Sequence, residues 1–148
     1  GSASSHAPEF FERYKGHCQS LKDNGLAVNP ALQFNALYTE EAGYQAASQL
    51  IASGEDFDAI CCACDLIAIG AMRALQEHEI NIPEQVALVG FDDIAVASFT
   101  FPPLTTVKQD TQLAGELLVD TLLSMISGGE VTTTLIPPEL VVRKSCGS

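Results

Sequence analysis

Three groups of polar side chains fall directly behind apolar stretches, where strands are expected to end. Tyr38 follows residues 31–37, Cys64 and Asp65 follow residues 57–63, and Asp92 and Asp93 follow residues 86–89. In open α/β sheets the carboxyl ends of the strands form the edge where ligands bind. Arg13 lies in the first turns of an opening helix, which places it at the same edge. An aromatic plate, a guanidinium fork and a carboxylate can meet there. Carboxylate and arginine make paired hydrogen bonds to neighbouring hydroxyls or a ring edge, and an aromatic face packs on a sugar or a nucleobase. This chemistry holds a polar, ring-shaped small molecule.

Each residue also has a plainer role. Asp65 is suited to be the N-cap of the helix behind it, and Asp93 to be a turn residue. Tyr38 can simply cover the sheet end, Arg13 can pair on the surface with Glu9 or Glu12, and Cys64 alone reads as core. Catalysis finds little support. His6, His17 and His78 are scattered, with no serine or cysteine spaced as a nucleophile–base pair. There is no GxGxxG or P-loop pattern for a cofactor. Paired aspartates with a later Lys108 are also found in phosphoacceptor receiver domains, but there the acidic pair follows the first strand and here it follows the third. No enzyme is expected.

Charge narrows the partners. The 148 residues carry a net charge of −12 with only seven basic side chains. A duplex-binding surface needs clustered lysine and arginine, so these residues are not expected to touch DNA. No apolar run approaches the roughly 20 residues that span a bilayer, and Asp120 interrupts the longest, residues 117–126. The odd set of five cysteines, Cys18, Cys61, Cys62, Cys64 and Cys146, lacks the spacing of a disulfide framework. On a strand Cys61 and Cys62 point to opposite faces, leaving no thiolate quartet for a metal. Small buried hydrophobes in a reducing, cytoplasmic setting are the expectation.

The elements that position these groups follow from periodicity and caps. Residues 1–7 are small and polar and read as loop. Pro8 opens a helix whose Phe10, Tyr14, Cys18 and Leu21 keep helical spacing, with Gly25 as its stop. Alternation of Leu32, Phe34 and Ala36 predicts a strand over 31–37. Thr39 caps a second helix that Gly54 ends, 57–63 is a buried strand, and Asp65 caps a third helix. Residues 86–106, VALVGFDDIAVASFTFPPLTT, begin as a strand buried on both faces and end at a diproline that forbids helix. Residues 105–109 read as extended, Asp110 caps a helix over 111–127, and 139–143 is a last strand. Strands alternating with helices predict a doubly wound parallel sheet in the α/β class. The opening helix has no strand ahead of it, as in a piece of a longer chain.

Four segments, ACDLIAIGAMRAL, IPEQVALVGFDD, PPLTTVKQD and LIPPELVVRKS, with ERYKGH upstream, occur in this order. Their order and gaps closely resemble the lactose/galactose-repressor (LacI/GalR) family of bacterial transcription regulators, over nearly the whole chain. The resemblance implies the last part of an effector domain of the periplasmic binding protein-like type I fold. Residues 1–105 would form most of its C-terminal lobe with the first strand missing, 106–136 the crossover and helix of the N-terminal lobe, and 137–148 the return strand and tail.

Carried over by position, Arg13 matches the arginine that grips effector hydroxyls or carboxylate, and Tyr38 a stacking aromatic. Asp92 matches the effector-binding aspartate, which leaves Asp93 to the turn, and Gln109 lies at the crossover position that contacts ligand. Cys64 departs from the pattern, since many sugar-binding members have asparagine there. That loss argues against a plain galactoside or glucoside. The implied partners are a small-molecule effector such as a sugar, operator DNA only through an N-terminal helix-turn-helix outside these residues, and a second copy in a homodimer. No membrane, metal or cofactor is implied. The main rival is a periplasmic sugar-binding protein of a transporter, which so many reduced cysteines disfavour.

Overall fold

The computed structural model describes residues 8–147. The loop expected over residues 1–7 lies outside the described residues. Four helices form where caps and periodicity place them: α1 (Pro8–Asp23), α2 (Glu40–Ser53), α3 (Asp65–Glu77) and α4 (Thr111–Ile126). Thr39 Oγ1 accepts the Ala42 amide at 3.2 Å to start α2, and Gly54, at φ +72°, ends it in the left-handed conformation. Asp110 Oδ1 accepts the Leu113 amide at 2.9 Å and starts α4 in the same way. The third helix departs from expectation: its N-cap is Cys64, with no side-chain cap bond, and Asp65 is already helical.

Four short strands, β1 (Ala59–Cys61), β2 (Ala87–Val89), β3 (Thr106–Lys108) and β4 (Glu139–Val141), build the sheet. β1 and β2 run parallel, with Ala59 opposite Ala87 and Cys61 opposite Val89. Parallel bridges from Val89 to Thr105 and from Asp92 to Lys108 carry the sheet on to β3. β4 joins β3 antiparallel, Thr106 opposite Val141. The α/β class and the parallel centre hold, and the last strand reverses because the chain returns along β3 after α4.

The core lies between α3 and the sheet, where Ala68, Ala71, Met72, Ala74, Leu88, Ala97 and Leu104 pack together. α2 lies against α3, and the two backbones approach closely where Gly70 faces Glu40 and Gly43 faces Ile67. A Cβ at Gly70 would overlap the Glu40 carbonyl oxygen.

Residues 31–37 do not form the expected strand. Pro30–Leu32 is one turn of 3-10 helix, Gln33 leaves it in an extended conformation, and residues 33–37 form no strand. The alternation is nonetheless expressed, since Leu32, Phe34 and Ala36 all line one apolar groove, together with Ile60, Cys61 and Cys62. No ladder or bridge pairs this segment with β1 or any other strand among the described residues, and a segment without a hydrogen-bonded neighbour is not a strand. Burial corrects one cysteine: Cys61 is exposed, whereas Cys64 is buried and Cys62 half-buried.

α4 has no buried residue. Leu118, Leu122, Leu123, Met125 and Ile126 are all exposed on it. Among the described residues, no helix is long and apolar enough to cross a membrane.

Candidate functional site

The edge predicted to carry ligand chemistry is assembled around Asp92. The strand that begins at β2 runs out through Gly90 and Phe91, and Gly90 is required: a Cβ there would overlap the Asp65 carboxylate beneath it. Beyond it the backbone turns through two non-glycine residues of positive φ, Asp92 at +110° and Asp93 at +53°. Such conformations cost on the order of 1–3 kcal/mol each and persist only where neighbours hold them. The Asp92 amide donates to Val107 O at 2.8 Å, and the Ile94 amide donates to Asp65 Oδ2 at 2.9 Å.

Two side chains converge on one oxygen of Asp92. Arg13 Nη2 stands 3.3 Å from Asp92 Oδ1, and Gln109 Nε2 donates to the same atom at 2.9 Å. Arg13 Nη1 donates to the Ala63 carbonyl at 2.6 Å, tying α1 to the end of β1. The guanidinium also lies over the Phe91 ring at 3.7 Å and the Phe10 ring at 4.8 Å. Cation–π attraction of this kind orients a planar guanidinium as well as anchoring it. Phe10 in turn stacks on Tyr38, with centroids 4.0 Å apart and planes inclined by 19°. The sequence Tyr38–Phe10–Arg13–Phe91 is therefore a continuous stack leading to Asp92.

Of the five residues proposed from sequence, Arg13 and Gln109 each contact Asp92, and Tyr38 joins Arg13 through Phe10. Cys64 sits one residue beyond the carbonyl that Arg13 holds, buried at the N-terminus of α3. Burial pushes its thiol above the usual range, so it is no ready thiolate. Arg13 takes Asp92 rather than Glu9 or Glu12 as its carboxylate partner.

Asp65 is neither cap nor ligand group. Its side chain is wholly buried, accepting from Thr106 Oγ1 at 2.6 Å and from the Ile94 amide. Burial raises its carboxyl above the ordinary carboxylate range, and those two hydrogen bonds pull the other way. Asp93 is a turn residue and more: Arg143 Nη2 donates to its Oδ1 at 2.7 Å in a largely buried ion pair. Sequence reasoning missed Phe10, Phe91 and Arg143. Phe10 carried a signal, lying three residues before Arg13 on the same helix face. Arg143 carried none, being 50 positions from its partner.

The fold and this edge define a periplasmic-binding-protein-like domain. The sequence profile of the periplasmic binding protein-like domain family matches residues 2–146, and the chain belongs to that family as part of a LacI-family effector-binding domain. It is 36% identical over 129 residues to the HTH-type transcriptional regulator AscG of Escherichia coli, covering 87% of this chain and 38% of that protein. It is 40% identical over 142 residues to the HTH-type transcriptional regulator MalR of Streptomyces coelicolor, covering 92% of this chain and 41% of that one. The crystal structure of a sugar-binding transcriptional regulator (LacI family) from Escherichia coli superposes with a TM-score of 0.88 at 33% identity. That match covers 98% of this chain and 51% of the other. The chain thus spans about two fifths of the length of the curated relatives.

Proposed function

We propose that this chain is the effector-sensing part of a LacI-family DNA-binding transcriptional regulator, and that it takes a small polar ring, a sugar or a purine-like base, at the Asp92 edge. The observation that carries the reading is the convergence of Arg13 and Gln109 on a single oxygen of Asp92. Two donors held on one oxygen present an acceptor and donors side by side, the pattern that reads vicinal hydroxyls or a heterocycle edge. The aromatic stack from Tyr38 to Phe91 supplies a face beside it. The relatives' names supply the regulatory context, and one solved relative is described as sugar-binding.

In this reading residues 1–105 belong to the C-terminal lobe, 106–136 cross to the N-terminal lobe, and 137–148 return. Ligand in the cleft bridges the lobes and biases their closure, which alters the spacing of paired DNA-binding heads in a cytoplasmic homodimer. The strongly acidic surface fits a part that leaves phosphate contacts to those heads. The test is operator release by the full-length regulator, after a thermal-shift screen of sugars and purines has named the ligand. R13A and D92A should each abolish the effector response while far-UV circular dichroism stays unchanged. A normal response from both variants overturns the site.

A further inference from the structure

We infer that Arg143 is a positioning residue for the Asp92 carboxylate, setting its direction through Asp93. The inference rests on the site reading above, because it concerns how the proposed ligand carboxylate is aimed. Asp92 and Asp93 are consecutive, both at positive φ, and their side chains are taken by two arginines from opposite ends of the chain. Asp92 goes to Arg13 on α1 at 3.3 Å, and Asp93 to Arg143 behind β4 at 2.7 Å. The amides on either side are held by short bonds, Asp92 to Val107 O at 2.8 Å and Ile94 to Asp65 Oδ2 at 2.9 Å. The Asp93 amide between them makes a longer bond, 3.3 Å to Thr106 Oγ1. The short bond at this residue is to the Arg143 guanidinium.

Arg143 is built to hold a direction rather than merely to supply charge. While Nη2 grips Asp93, Nη1 donates to the Leu104 carbonyl at 2.8 Å, so the planar fork spans the turn and the approach to β3. The residue's own backbone is locked to Thr105: its amide donates to Thr105 Oγ1 at 2.8 Å, and that hydroxyl lies 2.9 Å from its carbonyl. Two residues on, Ser145 Oγ donates to Leu88 O at 2.6 Å and accepts the Thr105 amide at 2.8 Å, wholly buried. The segment behind β4 is thereby fastened to β2 and to the start of β3, and Arg143 extends from it to the turn. Gln109, the second donor to Asp92, follows β3 directly. Both grips on the Asp92–Asp93 turn that come from the C-terminal half are therefore referred to the β3–β4 pair.

A lysine keeps the charge and cannot make both fork contacts in one plane, so R143K separates positioning from simple ion pairing. The experiment is amide hydrogen exchange on the full-length regulator, read at residue resolution by fragment mass spectrometry, comparing wild type, R143K and R143A. In both variants exchange at Asp92, Asp93 and Ile94 should rise by about tenfold or more through local opening, while the buried Leu75 and Leu88 keep wild-type protection. Unchanged exchange at 92–94 in R143K overturns the inference. Equal loosening of Leu75 and Leu88 in R143K also overturns it, since Arg143 would then be a general structural residue. If R143A does not fold, R143K alone decides. The D92A effector response reports separately on the site reading, so the two failures are distinguishable.

Discussion

The Asp65 carboxylate and the Thr106 hydroxyl meet at 2.6 Å, both wholly buried, directly beneath the turn that carries Asp92 and Asp93. The two residues link the first turn of α3 to the first residue of β3, and the same carboxylate holds the Ile94 amide. The site thus stands on a hydrogen-bonded floor rather than on apolar packing alone.

Removing the hydroxyl should be costly. T106V keeps the shape and leaves Asp65 Oδ1 and the Asp93 amide without their partner. A loss of about 1–3 kcal/mol is expected, the usual cost of stranding a buried polar group. Urea denaturation of the two proteins, with equal slopes, measures it.

The same carboxylate makes stability depend on pH. Its folded-state pKa is raised, chiefly by burial, so across the window from the ordinary carboxylate value up to the raised one the folded state binds more protons than the unfolded chain. Stability therefore falls as pH rises through that window, and stays lower above it. Subtracting a D65N pH profile from the wild-type profile should leave a curve that declines with rising pH. A difference that rises with pH contradicts the raised carboxyl.

The α2–α3 contact depends on a missing side chain. G70A would place a methyl against the Glu40 carbonyl oxygen and should cost about 1–3 kcal/mol or more by forcing the helices apart. A methyl added at Gly115 in α4 would meet nothing within 4 Å, so G115A should instead add about 0.5–1 kcal/mol of helix stability. Opposite signs in thermal melts are the expected result.

α4 exposes Leu118 at 71% and Ile126 at 73%, with Leu122 and Met125 also open. Apolar faces of this extent seek cover. The isolated chain should self-associate, with a sedimentation coefficient that rises with concentration, and L118E/L122E should return it to the monomer. A wild-type monomer across the concentration range speaks against this.

Local chemistry makes much of this protein legible in its sequence. Thr39 and Asp110 cap their helices, Gly54 ends one, and the 86–89 run is a central strand, because caps, glycine stops and apolar runs act within a few residues. The Asp92 edge followed from topology, since parallel strands send their carboxyl ends to one side. Its place in the first turns of the opening helix put Arg13 at that edge, the family resemblance added Gln109, and the two meet on Asp92 Oδ1.

Tertiary structure decided what local pattern could not. The alternation over residues 31–37 was real, yet a strand needs a hydrogen-bonded neighbour, and among the described residues none pairs with this segment. Asp65 had the residue type of a cap, but a buried hydroxyl 41 positions away claimed its carboxylate. Asp93 read as turn chemistry until Arg143 arrived from 50 positions downstream. Spacing along a chain reports which groups share a helix face or a sheet edge. Which charge satisfies which partner is settled only when folding brings distant segments within about 3 Å, where hydrogen bonds form.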